Sequence, residues 1–218
     1  MLSIRDIATP DRLAHHHTQR LEVLKELGDC YAAMGRLEAA EDCYRDAAAL
    51  EPTCAAPLVG LGVVALQLGR PAEAETAFQA AARREPRCAE AYGGLAMVRH
   101  QRGDFEGAFD MHLKSLELDA DNLVALLGLF QASCQMGTFA KVIQYLELYL
   151  ERHPGDSSVL FCLAALYARE GRLADARECL LSVLSLEPDK KEAAELLGQV
   201  RRHLAESAEL PAVNHVGA

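Results

Sequence analysis

Tryptophan is absent from the 218-residue chain, and phenylalanine and tyrosine together make up only 6% of it. Large aromatic anchors are therefore scarce, and the core must be filled mainly by small and aliphatic side chains. Alanine is abundant, which suits closely packed helices. Positive charge is also short. Against 32 acidic residues stand 22 lysines and arginines, a formal charge of -10, and that balance excludes the basic footprint of a nonspecific nucleic-acid binder. No apolar run approaches the roughly 20 residues that a bilayer-spanning helix needs, so membrane insertion is not expected. The opening stretch MLSIRDIATPDR carries charges where a secretory signal needs its apolar region. A soluble cytoplasmic protein is the expectation.

Chemical motifs are missing too. The seven cysteines are odd in number and form neither a CxxC nor a Cys/His cluster, as expected of small buried or half-buried thiols in a reducing compartment. There is no phosphate loop, no GxSxG elbow and no HExxH. His15, His16 and His17 are adjacent, but neighbours on a helix project in different directions. No catalytic residue, cofactor or metal site is expected, and the chain reads as a non-enzyme.

What the chain does have is a period. Leu27, Leu61, Leu95, Leu129, Leu163 and Leu197 recur every 34 residues. So do Gly35, Gly69, Gly103, Gly137 and Gly171, and so do Pro52, Pro86, Pro154 and Pro188, with Ala120 standing in once. The repeats run 21–54, 55–88, 89–122, 123–156 and 157–190 without insertion. Each holds two apolar-periodic segments of about three helical turns. The glycine separates them, and the proline stops the second because it lacks an amide donor and clashes with the preceding turn. A single hairpin cannot bury its apolar face alone, whereas stacked hairpins share a continuous core.

This pattern resembles the tetratricopeptide repeat (TPR) family. The first repeat carries it best, in Leu24, Leu27-Gly28, Tyr31, Gly35, Ala40, Tyr44, Ala47 and Pro52. The resemblance implies an all-α, right-handed α-solenoid, a superhelix of stacked antiparallel helix hairpins. Residues 191–206 repeat the first-helix pattern without a second helix and read as a C-terminal capping helix. Residues 207–218 have no period and are expected to be disordered. Residues 1–20 form an N-terminal segment expected to be partly helical, since Thr9-Pro10-Asp11 is a helix start. Leu13, His17 and Leu21 continue one face from there, so either the first helix is unusually long or a short separate helix precedes it.

At 100° per residue the first helix of each repeat divides into two sides. The recurring Leu, Leu, Gly or Ala, and Tyr positions share one side, the core. The opposite side carries Val59, Val63 and Gln67 in the second repeat, and Met97, His100 and Gln101 in the third. Leu127, Gln131 and Gln135 follow in the fourth, then Phe161 and Arg169 in the fifth. The resemblance implies that this side lines a concave groove and touches partners. A solvent-facing strip normally carries charge, so apolar residues flanked by amides point to an interaction surface. The expected function is a non-catalytic protein–protein interaction scaffold that binds an apolar or amphipathic protein segment. One alternative is a self-associating, homo-oligomeric scaffold. Another is a client-holding, chaperone-like accessory module for an enzyme or secretion assembly. The resemblance includes a variant that binds acidic C-terminal peptides with lysine, arginine and asparagine on this face, and it fits less well, because Lys25 stands alone at such a position, beside Asp29, and asparagine is missing from the face.

Two features break the pattern. The third repeat has Arg99 and His112 where aromatics are expected and Ala120 in place of proline. Arg99 is expected to reach solvent with its stem packed, His112 to be a hydrogen-bonded core histidine, and the helix before Ala120 to run on or turn differently. Gly60, Gly94 and Gly128 recur inside first helices, where glycine costs roughly 1 kcal/mol relative to alanine. Close helix packing, or a side-chain-free shelf along the groove, would explain them.

Overall fold

The computed structural model describes the backbone of residues 10–209 and the side chains of residues 18–206. Among them are eleven helices and no strand. The first helices of successive repeats are α1 (Pro10–Ala33), α3 (Ala56–Gln67), α5 (Ala89–Gln101), α7 (Leu123–Met136) and α9 (Ser157–Arg169). Their hairpin partners are α2 (Leu37–Leu50), α4 (Pro71–Arg84), α6 (Phe105–Leu118), α8 (Ala140–Arg152) and α10 (Leu173–Leu186), and α11 (Lys191–Glu209) closes the series. The helix at the front is thus one continuous element from Pro10. Residues 207–209, expected in the disordered tail, continue α11 as helix, while Thr9, the side chains of His15, His16 and His17, and the rest of the tail from residue 210 lie outside the described residues. No helix among the described residues is long and apolar enough to cross a membrane. Contacts divide the chain into two compact units, with the boundary between Gly128 and Leu129.

The periodic glycines make the hairpins. Each adopts a left-handed backbone, with φ between +70° at Gly137 and +77° at Gly103, a region that disfavours other residues. At Gly35 the glycine N–H bonds to the Ala32 carbonyl (3.0 Å), and the Arg36 N–H bonds to the Tyr31 carbonyl (2.8 Å). This pair of hydrogen bonds satisfies carbonyls that a helix end leaves open. It recurs at Gly69, Gly103 and Gly171. At Gly137 the glycine and Thr138 instead share the Ser133 carbonyl, at 2.8 and 3.3 Å.

Without the proline α6 is expected to run on or turn differently, and it does not run on. The helix stops at Leu118, and Asp119 turns to extended backbone (φ -138°, ψ 97°). The turn matches those of the proline-bearing repeats at Glu51 (φ -127°, ψ 86°) and Glu85 (φ -131°, ψ 92°), so the stop does not need the proline ring. The Asp119 carboxylate accepts the Asp121 N–H (3.1 Å), and the Asn122 side chain accepts the Ala125 N–H (3.0 Å). Asn122 also donates to the Ser115 hydroxyl (3.3 Å), which itself donates to the Ala89 carbonyl (2.8 Å) in the core.

The N-terminal unit is locked by rings set into glycine notches. Tyr44 of α2 and Phe78 of α4 are 4% and 0% exposed. A Cβ on Gly28 or Gly60 would lie 2.7 or 2.6 Å from the Tyr44 ring. On Gly62 or Gly94 it would lie 2.6 or 2.3 Å from the Phe78 ring. Each ring therefore enters between its own first helix and the next one. Gly128 stands in the same relation to His112 of α6, at 2.2 Å. Close approach by the preceding repeat's ring accounts for Gly60, Gly94 and Gly128. Burying a phenylalanine fully stabilises by roughly 1.5–3 kcal/mol, which offsets the helix-propensity cost of the glycines. In the C-terminal unit the ring position holds Leu146 and Leu180, both fully buried.

Two core expectations need correction. Leu27 is 39% exposed, because it belongs to the first repeat and no earlier hairpin among the described residues covers it. His112 is 3% exposed, yet its Nδ1 has no hydrogen-bond partner. It is a core histidine with a polar atom left unpaired, and burial followed by the nearby His100 lowers its pKa to about 4. Arg99 reaches solvent as expected. Its Nη1 pairs with Asp104 at 3.2 Å and passes over Gly107, where a Cβ would lie 2.3 Å from it.

Candidate protein-interaction site

None of the eleven site residues named from the sequence is buried. In the N-terminal unit Val63 (37% exposed) and Met97 (39%) are open to solvent. Gln67 and Gln101 are exposed, and Val59, His100 and Leu127 are half-buried. In the C-terminal unit Gln131, Gln135 and Arg169 are exposed and Phe161 is half-buried. The same helices bury their other side. On α3 these buried residues are Pro57, Leu58, Gly62, Val64 and Ala65.

Two of the named residues share a cavity. A hollow of about 310 Å³ between α1 and α3 is lined by Lys25, Asp29, Ala32, Tyr44, Ala56, Val59, Gly60 and Val63. Its walls are apolar apart from one ion-bearing corner. The Tyr44 hydroxyl donates to the Asp29 carboxylate at 2.5 Å, and burial followed by this bond pushes the phenol pKa up. Lys25 pairs with Glu22 at 3.3 Å. Neither charge in the hollow is thus left without an internal polar contact. On α5 the His100 ring meets Phe105 edge-on, with centroids 5.2 Å apart, which fixes it beside Met97 and Gln101.

In the C-terminal unit Arg169 lines a separate hollow of about 370 Å³ between α9 and α11, with Ala165, Ala168, Leu173, Leu196, Gln199, Val200 and His203. The Arg169 guanidinium lies 5.7 Å from the Phe139 ring centre. Phe161 carries Lys190 Nζ at 5.6 Å from its ring centre.

A larger hollow escaped the sequence reading. It measures about 510 Å³, opens between α2 and α4, and is floored by Leu58, Leu61 and Ala65. Its rim charges are paired, with Glu41 held by both Arg45 and Arg70. It depends on the spacing of two second helices from adjacent repeats, which single-helix periodicity does not report. Burial pushes the Cys88, Cys162 and Cys179 thiols up to about 11, so they stay protonated at neutral pH.

The left-handed glycine turns, the stacked hairpins and the half-apolar first-helix faces define an α-solenoid repeat protein. Sequence profiles of the tetratricopeptide repeat match residues 21–54, 59–122 and 135–200, and the chain belongs to that family. Mouse sperm-associated antigen 1 is 30% identical over 105 residues, which are 48% of this chain but only 12% of that protein. The structure of Pseudomonas aeruginosa PilF superposes with a TM-score of 0.74 at 19% identity, over 88% of each chain. The first TPR of Spaghetti (RPAP3), solved bound to the HSP90 peptide SRMEEVD, superposes with a TM-score of 0.50 at 25% identity. That match covers 55% of this chain and 95% of the other.

Proposed function

We propose that the protein is a non-catalytic scaffold whose first-helix faces bind an apolar or amphipathic segment of another protein. The carrying observation is the exposure of Val63, Met97 and Val124 (37%, 39% and 65%) on faces that also present Gln67, Gln101, Gln131 and Gln135 to solvent. Covering exposed apolar side chains is favourable. Glutamine amides can bond to the backbone of a bound segment without the desolvation penalty of a charge. An acidic peptide such as SRMEEVD is a poor match, because Lys25 is already paired with Glu22 and shares its hollow with Asp29.

Affinity capture with wild-type chain and with Leu127→Asp and Phe161→Asp tests the reading. Both side chains are half-buried on the proposed face. The variants should retain helical circular dichroism and lose the captured proteins, and SRMEEVD peptide should not compete with capture. Unchanged capture by both variants, or displacement by the acidic peptide, would overturn the proposal.

A further inference from the structure

Among the described residues, the first repeat leaves open a face that every later repeat of the N-terminal unit closes. On α1 this face holds Val23 (59% exposed), Leu27 (39%), Cys30 and Met34 (67%). It is distinct from the first-helix side that carries Lys25 and Asp29. The residues one repeat later are Pro57, Leu61, Val64 and Leu68, and all are buried or half-buried. What covers them is known. Ala40 and Tyr44 of α2 pack with Val64, Leu61 and Leu68. One repeat further on, Ala74 and Phe78 of α4 pack with Val98 and Leu95. The covering helix thus brings a small residue and, four positions later, a ring.

A charge accompanies this contact. Arg70, at the turn after α3, reaches Glu41 of α2 at 3.6 Å. Arg102, at the end of α5 and two residues before the position equivalent to Arg70, reaches Glu75 of α4 at 2.6 Å. Both acids directly follow the small residue, so the covering helices share the pattern Ala-Glu-x-x-Tyr or Ala-Glu-x-x-Phe. Arg36 is the first repeat's counterpart of Arg70. It lies 4.8 Å from the Tyr31 ring centre and makes no ion pair among the described residues.

We propose that the N-terminal edge formed by Val23, Leu27, Cys30, Met34 and Arg36 is a docking site for an amphipathic helix of a partner protein. That helix carries Ala-Glu followed three residues later by Tyr or Phe. The apolar strip takes the small residue and the ring, and Arg36 takes the glutamate. The chain's internal interfaces supply the template for the contact. A second copy of the chain is a poor occupant, because its own helices of this pattern have their rings buried, Tyr44 at 4% and Phe78 at 0% exposure.

The α2 sequence itself is the probe. A fluorescein-labelled peptide of residues 36–51, with Cys43→Ser, is titrated with the full chain and followed by fluorescence anisotropy. Saturable binding is expected. Leu27→Glu in the protein should weaken it about tenfold or more, and Val23→Glu serves as the readout if Leu27→Glu alters the melting temperature. Tyr44→Ala in the peptide should abolish binding. Arg36→Glu in the protein should weaken the unmodified peptide, and Glu41→Arg in the peptide should restore the affinity, which a purely structural role for Arg36 would not produce. Affinity indifferent to the edge substitutions, or a charge reversal without rescue, overturns the proposal. So does light scattering that shows a dimer made monomeric by Leu27→Glu, because a second copy then occupies the edge.

Discussion

The N-terminal and C-terminal units fill one repeat position in opposite ways. In the N-terminal unit the second helix offers a ring, Tyr44, Phe78 or His112, and the next first helix offers a bare backbone at Gly60, Gly94 or Gly128. In the C-terminal unit the corresponding positions are Leu146 with Cys162 and Leu180 with Leu196. A wide plug goes with an empty socket, and a narrower plug goes with a side chain. Interiors are close-packed, so the pair is constrained even though neither member is. The 34-residue period therefore preserves volume at this joint rather than residue identity.

Deleting a plug should separate the two solutions most strongly. Phe78→Ala is expected to cost roughly 3–5 kcal/mol, and Leu146→Ala roughly 2–5 kcal/mol. Both side chains are fully buried. The loss at Phe78 should nevertheless be the larger, because Gly62 and Gly94 have no side chains with which to close the void. Urea denaturation of the two variants reports the difference. Equal losses would mean that glycine sockets relax as readily as filled ones, and the contrast between the units would lose its energetic content.

His112 is the flawed plug of the series, a ring with an unpaired Nδ1. Its pKa in the folded chain is lowered to about 4 from the ordinary 6.5, so the unfolded chain takes up the proton more readily. The native state is thus fully favoured above about pH 6.5 and loses stability as the pH falls from there toward 4. The loss is about 3 kcal/mol by linkage. His112→Phe, which restores the plug found at Phe78, should flatten this part of the profile. Denaturation midpoints between pH 7 and pH 4 in wild type and variant measure it, and parallel profiles would remove His112 as the cause.

Much of this was readable in advance, and what was missed has physical reasons. The glycine series located every hairpin turn, because only a left-handed residue closes those helices in so few positions. Helix angles placed Val63, Gln67, Met97 and Gln101 on an accessible side, because exposure follows the 3.6-residue period. They misplaced Leu27, whose periodicity matches Leu163 although no earlier hairpin among the described residues covers it. The role of Gly60, Gly94 and Gly128 was hidden from single-helix reasoning, since the atoms that fill their space come from the preceding repeat. A signal did exist. Each glycine lies sixteen residues after Tyr44, Phe78 or His112, and the same step from Leu146 and Leu180 reaches Cys162 and Leu196. The hollow between α2 and α4 left no such trace.

The smallest expected effect sharpens the comparison most. Gly94→Cys introduces into the N-terminal unit the residue that Cys162 supplies in the C-terminal unit. Its Cβ would lie 2.3 Å from the Phe78 ring, and overpacking of this kind costs roughly 1–3 kcal/mol. Phe78→Leu narrows the plug at the same joint. If the two positions are one volume constraint, the double variant should be more stable than the sum of the single losses predicts, with a favourable coupling of roughly 0.5–3 kcal/mol. A double-mutant cycle in urea measures that coupling. Strict additivity would show that the sixteen-residue pairing of ring and glycine is not energetic, because side chains that share one space cannot be changed independently of each other.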